Sequence, residues 1–286
     1  MVRVVYNRLK WFSIEFFMHT RRRQMSYENI LFDVNEGIAT ITLNRPKAFN
    51  ALNEDLGIEL GDALHICDES YSIRVVVITG SGRAFCAGGD VKSFSEHMDT
   101  IDSHIMRLTG IIHSSISLMA RMEKPVICAV NGMAAGGGMS LALAGDLILA
   151  TQSAKFIMAY TQIGASPDGS SSFTLPRIIG VKKALELTLL NPLLTAQDAL
   201  VWGIVNQIFP DNRFIDEVNA IATRLAQGPT VAYGQAKALF YNSIQETLET
   251  QMHNEALSLA TCGHTQDFKE GVAAFIEKRL PHFTGK

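Results

Sequence analysis

Two short runs near the start of the folded chain alternate apolar and polar positions, Ile30 to Val34 and Ile38 to Leu43, around Asn35-Glu36-Gly37. That pattern predicts a β-hairpin, because strand side chains alternate between faces and Asn-Glu-Gly supplies a tight turn. Asn44-Arg45-Pro46 ends the second strand. The period then changes. Leu56, Leu60, Leu64 and Cys67 form one helical stripe behind Asn53, whose side chain suits an N-cap. Arg74 to Thr79 reads as a buried strand, a helix is expected around Ile105 to Met122, and Pro125 to Val130 reads as another strand. A glycine-rich turn and a further helix follow, and Ser170 to Ile179 suggests one more helix. Strands alternating with helices argue for right-handed crossovers and an α/β core.

Beyond about Pro192 the strand signals nearly stop. Thr195-Ala-Gln-Asp reads as a helix start, and Val205 to Phe209 as a last short strand. Helical periodicity then runs almost to Lys278, broken at Gly228-Pro229 and Gly263. A block of that kind packs on its own core or on another subunit.

The chain has 286 residues, 47% of them hydrophobic and 19% charged, with a net charge of −3. This composition suits a large globular domain and excludes a disordered or collagen-like chain. The most apolar stretch, Met133 to Ala150, carries four glycines, a serine and Asp146, and reads as core rather than as a membrane span. Cys67, Cys86, Cys128 and Cys262 make no Cys-x-x-Cys pair, which argues against a zinc site or a disulfide framework. No metal site is expected. The acidic balance gives no footprint for nucleic acid. Residues 1–24 differ, with six basic residues against Glu15 alone, and Trp11, Phe12, Phe16 and Phe17 form an aromatic cluster. The expectation for 1–24 is a disordered, dispensable extension; a targeting peptide and a membrane-surface helix are the other readings.

Three stretches carry candidate chemistry. Gly80-Ser-Gly-Arg-Ala-Phe-Cys-Ala-Gly-Gly-Asp90 follows a buried strand, and its glycines allow close backbone approach to a ligand. Asn131-Gly-Met-Ala-Ala-Gly-Gly-Gly138 precedes an apolar helix, leaving free amides at the helix start. Gly138-Met-Ser140-Leu-Ala142 loosely matches a hydrolase nucleophile elbow, for which His113 is the candidate partner of Ser140. A helix-interior serine bonded to its own backbone is the commoner explanation. Pro167-Asp168-Gly169 is a turn, and Asp168 alone reads most simply as a helix N-cap.

In this order and spacing, with Thr195-Ala-Gln-Asp-Ala-Leu-Val-Trp-Gly203 behind them, the three stretches resemble the crotonase, or enoyl-CoA hydratase/isomerase, superfamily. The resemblance runs from about Tyr27 to the C-terminus. It implies a spiral of β-β-α turns over 25–191 holding an acyl-CoA site, and a helical trimerisation region over 192–286. It further implies an acyl-CoA thioester as partner, a homotrimer or dimer of trimers, and no cofactor beyond the substrate's own coenzyme A. The family's two oxyanion-holding amides correspond to Ala87 and Gly137, with Gly88, Gly89, Asp90 and Tyr160 as further substrate-binding positions. Such amides stabilise an enolate by about 3 to 4 kcal/mol per donor.

The two glutamates with which hydratases activate water are replaced by Ser140 and Tyr160, so syn-hydration is not expected. Asp168 stands where family isomerases place a carboxylate. Ser166 to Arg177 resembles the enoyl-CoA isomerases and the ring-epoxide (1,2-epoxyphenylacetyl-CoA) isomerase, and the C-terminal Glu270 to Arg279 also resembles the latter. Aryl-CoA dehalogenases carry aspartate there too, paired with a tryptophan where this chain has Tyr160. The expected function is therefore enoyl-CoA double-bond isomerisation by one carboxylate. An atypical hydratase-type lyase and a non-catalytic acyl-CoA-binding member are the alternatives. Phe94, Met98, Met133 and Tyr160 are candidate pocket-lining residues. The location expected is cytoplasmic, or mitochondrial if residues 1–24 act as a targeting peptide.

Overall fold

A computed structural model describes residues 27–286; the basic extension 1–24 lies outside the described residues. The hairpin forms as the alternation predicts: β1 (Ile30–Asn35) and β2 (Ile38–Leu43) pair antiparallel, with Glu36 and Gly37 both at positive φ in the turn. The Asn53 side chain accepts from the Leu56 amide and starts α1 (Glu54–Glu69), whose stripe Leu56, Leu60, Leu64 and Cys67 is fully buried.

The chain then makes three successive turns, each laying one strand in each of two sheets. The first holds β3 (Val75–Gly80), β4 (Ala84–Cys86), α2 (Val91–Glu96) and α3 (Ile101–Arg121). The second holds β5 (Val126–Val130), β6 (Met133–Ala135) and α4 (Gly137–Leu143). The third holds β7 (Leu147–Thr151), β8 (Lys155–Ile157), α5 (Ser171–Ile179) and α6 (Val181–Leu190). Helix α3 begins earlier than its apolar stripe suggests, because its first turn buries a polar residue, His104.

Beyond Pro192 the chain completes both sheets before turning helical. Strand β9 (Leu194–Thr195) pairs with β8, α7 (Ala196–Val201) starts at a Thr195/Asp198 capping box, and β10 (Gln207–Phe209) pairs with β7. The larger sheet runs β1-β2-β3-β5-β7-β10, the smaller β4-β6-β8-β9. This is the expected α/β spiral of β-β-α turns. Four helices follow: α8 (Phe214–Ala226), α9 (Thr230–Ser243), α10 (Leu248–Gly263) and α11 (Gln266–Glu277).

The central strands β3, β5 and β7 of the larger sheet are buried on both faces, which explains their unbroken apolar sequences. Val76 and Ile78 of β3 point into the main core, whereas Val75 and Val77 pack under Phe214, Val218 and Ala222 of α8. Helix α8 is thus a cover for this chain's own sheet. Helices α9 to α11 leave large apolar side chains outside, among them Phe240, Leu248, Leu259 and Phe275. Among the described residues, no helix is long and apolar enough to cross a membrane, and no cluster of three metal-ligating side chains occurs.

One ion pair fastens α9 to the core. Lys237 Nζ lies 2.7 Å from Asp146 Oδ2, and their side chains are only 9% and 18% exposed. Burial pushes the Asp146 carboxyl up and the Lys237 ammonium down, and each group is partly relieved by the other. The same carboxylate accepts from the Val126 amide at the start of β5. Lys237→Ala would leave Asp146 buried without its cation. Denaturant unfolding should show a loss of about 3 to 5 kcal/mol. A loss under 1 kcal/mol would mean that water replaces the lysine freely.

Candidate functional site

The site grows from the point where β4 and β6 of neighbouring turns end side by side. Leaving β4, the chain runs along the segment Phe49 to Leu52, and backbone hydrogen bonds fix its register. The Ala87 amide donates to the Phe49 carbonyl at 3.0 Å, Leu52 N donates to the Gly88 carbonyl at 2.7 Å, and Asp90 N donates to the Leu52 carbonyl at 3.0 Å. Leu52 and Gly89 form a parallel bridge. In a parallel bridge the bonds go to the neighbours of the bridged residue, so Gly89's own N–H faces the opposite side. This corrects the expectation for Ala87, whose amide is spent on Phe49. The Gly89 amide has no backbone acceptor among the described residues.

Opposite stands Gly137, the first residue of α4, whose N–H has no intrahelical acceptor. A β-carbon placed on Gly137 would lie 3.6 Å from the Gly89 nitrogen, so the two amides are close neighbours. The approach depends on missing side chains. A β-carbon on Gly138 would stand 2.0 Å from the Cys86 carbonyl oxygen, and one on Gly88 2.8 Å from that of Ala135. Gly88 and Gly136 also hold φ of +96° and +50°, a region side chains disfavour. The paired glycine motifs are thus what lets two backbones touch.

Asp90, expected to bind substrate, is used to build the loop. Its carboxylate takes Arg45 at 2.9 Å and caps α2 at the Ser93 amide. Phe94 lies over Gly89, where a β-carbon would meet its ring at 2.8 Å. Behind Phe94, the buried His104 hydrogen-bonds Ser93 and lies 3.2 Å from Glu54 of α1. That chain ties α2 to α3 and α1, and it went unread in the sequence. Met98 is largely exposed, and Met133 lies half-buried in β6.

One helical turn beyond Gly137, Ser140 is fully buried and shares a 2.8 Å hydrogen bond with the Tyr160 hydroxyl. Tyr160 donates to the Asp168 carbonyl at 3.2 Å and so accepts from Ser140, whose Oγ also lies 3.3 Å from the Gly136 carbonyl of its own helix. The positions where a hydratase carries two glutamates thus hold two hydroxyls bonded to each other. Burial pushes the Tyr160 phenol up to about 12, so it is a neutral donor at physiological pH. The thiols of Cys67, Cys86 and Cys128 are likewise pushed up to about 12 by burial and stay protonated.

Asp168 is no cap. The residue capping α5 is Ser170, and no side chain bonds that helix end. Gly169 and Ser170 both take left-handed backbone conformations, φ +60° and +64°, which turn the Asp168 side chain away from the helix. Its carboxylate Oδ1 instead meets His113 Nε2 of α3 at 2.7 Å. His113 therefore partners Asp168, and the weak Ser140–His113 hydrolase reading falls. The Asp168 loop packs directly on Ser140, where a β-carbon on Gly169 would come within 2.9 Å of the serine's Cβ. The two side chains, 37% and 50% exposed, remain reachable from solvent.

Chemically, the arrangement joins two unpartnered amides able to hold an oxygen that gains charge, a half-exposed carboxylate able to carry a proton, and two neutral hydroxyls. Known proteins are similar to this chain over most of its length. The family model described as enoyl-CoA hydratase/isomerase matches residues 33–286. A 1,2-epoxyphenylacetyl-CoA isomerase of Escherichia coli (strain K12) is 38% identical over 260 residues, covering 91% of this chain and 99% of that protein. A 4-chlorobenzoyl coenzyme A dehalogenase of Arthrobacter sp is 37% identical over 257 residues, covering 89% and 93%. The crystal structure of an enoyl-CoA hydratase from Bacillus anthracis superimposes with a TM-score of 0.85 at 33% identity, covering 91% of this chain and all of that one.

The Tyr160 hydroxyl links α4 to the Asp168 loop. Tyr160→Phe should lower the unfolding free energy by about 1 kcal/mol. Denaturant melts check this, and an unchanged midpoint would show that the two bonds contribute nothing.

Proposed function

The chain belongs to the enoyl-CoA hydratase/isomerase family, and we propose that within it this protein is an enoyl-CoA double-bond isomerase working with one carboxylate. The observation that carries the reading is the hydroxyl pair Ser140–Tyr160 beside the half-exposed carboxylate of Asp168, which His113 holds. Hydration needs a water activated between two carboxylates. Here the nearest replacements are neutral, buried and bonded to each other. Moving a double bond needs one base, which takes a proton from one carbon and returns it to another.

In this reading the thioester oxygen of a 3-enoyl-CoA lies between the Gly89 and Gly137 amides. Asp168 takes the proton from C2, and the electron pair of that C–H bond spreads over the allyl system onto the oxygen. The two N–H groups, already aligned, stabilise that charge without reorganising. Asp168 then returns the proton to C4, the C3=C4 bond becomes C2=C3, and the carboxylate is restored. No other reactant is consumed. Gly88 and Asp90 set the loop that presents Gly89, and Tyr160 fixes the backbone of Asp168. The apolar side chains left outside on α9 to α11 support the expected homotrimer or dimer of trimers.

Asp168→Asn keeps the shape of the side chain but cannot accept a proton. Turnover of a 3-enoyl-CoA should fall by at least about 100-fold while acyl-CoA binding persists. A panel of 3-enoyl-, 2-enoyl- and aryl-CoA thioesters on the wild type should show 3-enoyl turnover above the others. Near-normal turnover in a folded Asn variant, or hydration as the dominant activity, would sink this reading.

A further inference from the structure

We infer that His113 is a positioning residue that holds the Asp168 carboxylate in one orientation, so that a single oxygen carries the proton in and out. The inference rests on the isomerase reading and adds to it a residue outside the glycine loops. It starts from the uneven way in which Asp168 is held. Its backbone carbonyl has three donors: the Ser171 amide at 3.3 Å, the Ser171 hydroxyl at 2.8 Å and the Tyr160 hydroxyl at 3.2 Å. The main chain is therefore pinned. The carboxylate, by contrast, has one hydrogen-bond partner among the described residues, His113 Nε2 at 2.7 Å on Oδ1.

A carboxylate half exposed to solvent and free at its last torsion samples many orientations. One donor on Oδ1 removes that freedom and leaves Oδ2 unoccupied. A carboxylate only accepts hydrogen bonds, so the proton of this bond sits on His113 Nε2. The bond survives the reaction step. When Oδ2 takes the C2 proton, Oδ1 remains an acceptor, so His113 holds the neutral acid as it held the anion. The O–H cannot swing toward water before the proton reaches C4. The histidine neither gains nor loses a proton in this scheme.

His113 belongs to the long helix α3, packed on α1 in the main core, whereas Asp168 belongs to the turn leading into α5. The partnership thus spans two layers of the fold, and a rigid helix supplies the fixed point. Among the described residues, Tyr160 also reaches this loop, on the Asp168 carbonyl, and burial keeps it neutral.

The test compares His113→Phe, which fills similar space without a donor, with His113→Gln, which restores an N–H. For the half-exposed His113 both variants should fold, as circular dichroism will verify. In His113→Phe, kcat on a 3-enoyl-CoA should fall about 10- to 100-fold with KM unchanged, the range for losing a hydrogen bond to a charged group. In D2O its product should carry more deuterium at C4 than the wild-type product, because the loosened acid exchanges with solvent before delivering its proton. His113→Gln should recover most of the rate and the low deuterium content. Wild-type kcat and labelling in His113→Phe would overturn the inference, as would a Gln variant no better than Phe. Asp168→Asn separates the two failures. If that variant is inactive while His113→Phe behaves as wild type, only the role of His113 falls; if Asp168→Asn stays active, the single-carboxylate reading falls first.

Discussion

Everything at this site depends on two backbones meeting without side chains between them. The loop after β4 and the start of α4 touch through Gly88, Gly136 and Gly138, and a methyl group at Gly138 would lie only 2.0 Å from the Cys86 carbonyl. Around that contact the main chain spends several of its own amides on neighbouring carbonyls. Phe49 absorbs the Ala87 amide and Leu52 binds the residues on either side of Gly89. The amides of Gly89 and Gly137, facing each other across the contact, have no backbone acceptor among the described residues. A donor left over by a rigid ladder is already aimed, so it needs little reorganisation when charge develops on a substrate oxygen.

The fold is shared with proteins named for different reactions. Those similar to this chain carry the names of an isomerase, a dehalogenase and a hydratase. In this chain, α4 and the turn after β8 contribute hydroxyls, and the turn before α5 contributes a carboxylate oriented by α3. The same layers that bury the core therefore also place these hydroxyls and this carboxylate together. Fastening matters at long range too. The Lys237–Asp146 pair ties α9 to the strand that leads into the glycine turn.

Much of this was legible in the sequence where one local rule governs. The hairpin at Glu36-Gly37, the Asn53 cap, the capping box at Thr195 and the glycine clusters are set by residues within a few positions of each other. Strands β6, β8 and β9, with two or three residues each, are too short to show a period. What resisted was pairing across distance. Whether Ala87 or Gly89 keeps a free amide depends on its register against Phe49 and Leu52, which no pattern within the loop encodes. Asp168 has the local signature of a cap, yet two left-handed residues turn it toward a histidine 55 positions earlier. His113 was visible only as a possible companion of Ser140, because a helix face does not reveal which loop will lie against it.

The central claim, that the Gly89 and Gly137 amides hold the thioester oxygen, is most directly measured by isotope-edited infrared spectroscopy. A saturated acyl-CoA labelled with carbon-13 at its carbonyl binds without reacting, and the label isolates its stretching band from the protein's amide bands. Two hydrogen bonds polarise the carbonyl and weaken its double bond. The band should therefore move to lower frequency on binding than the same thioester shows in water. A bound carbonyl at or above its frequency in water, with the ligand demonstrably seated, would contradict the account.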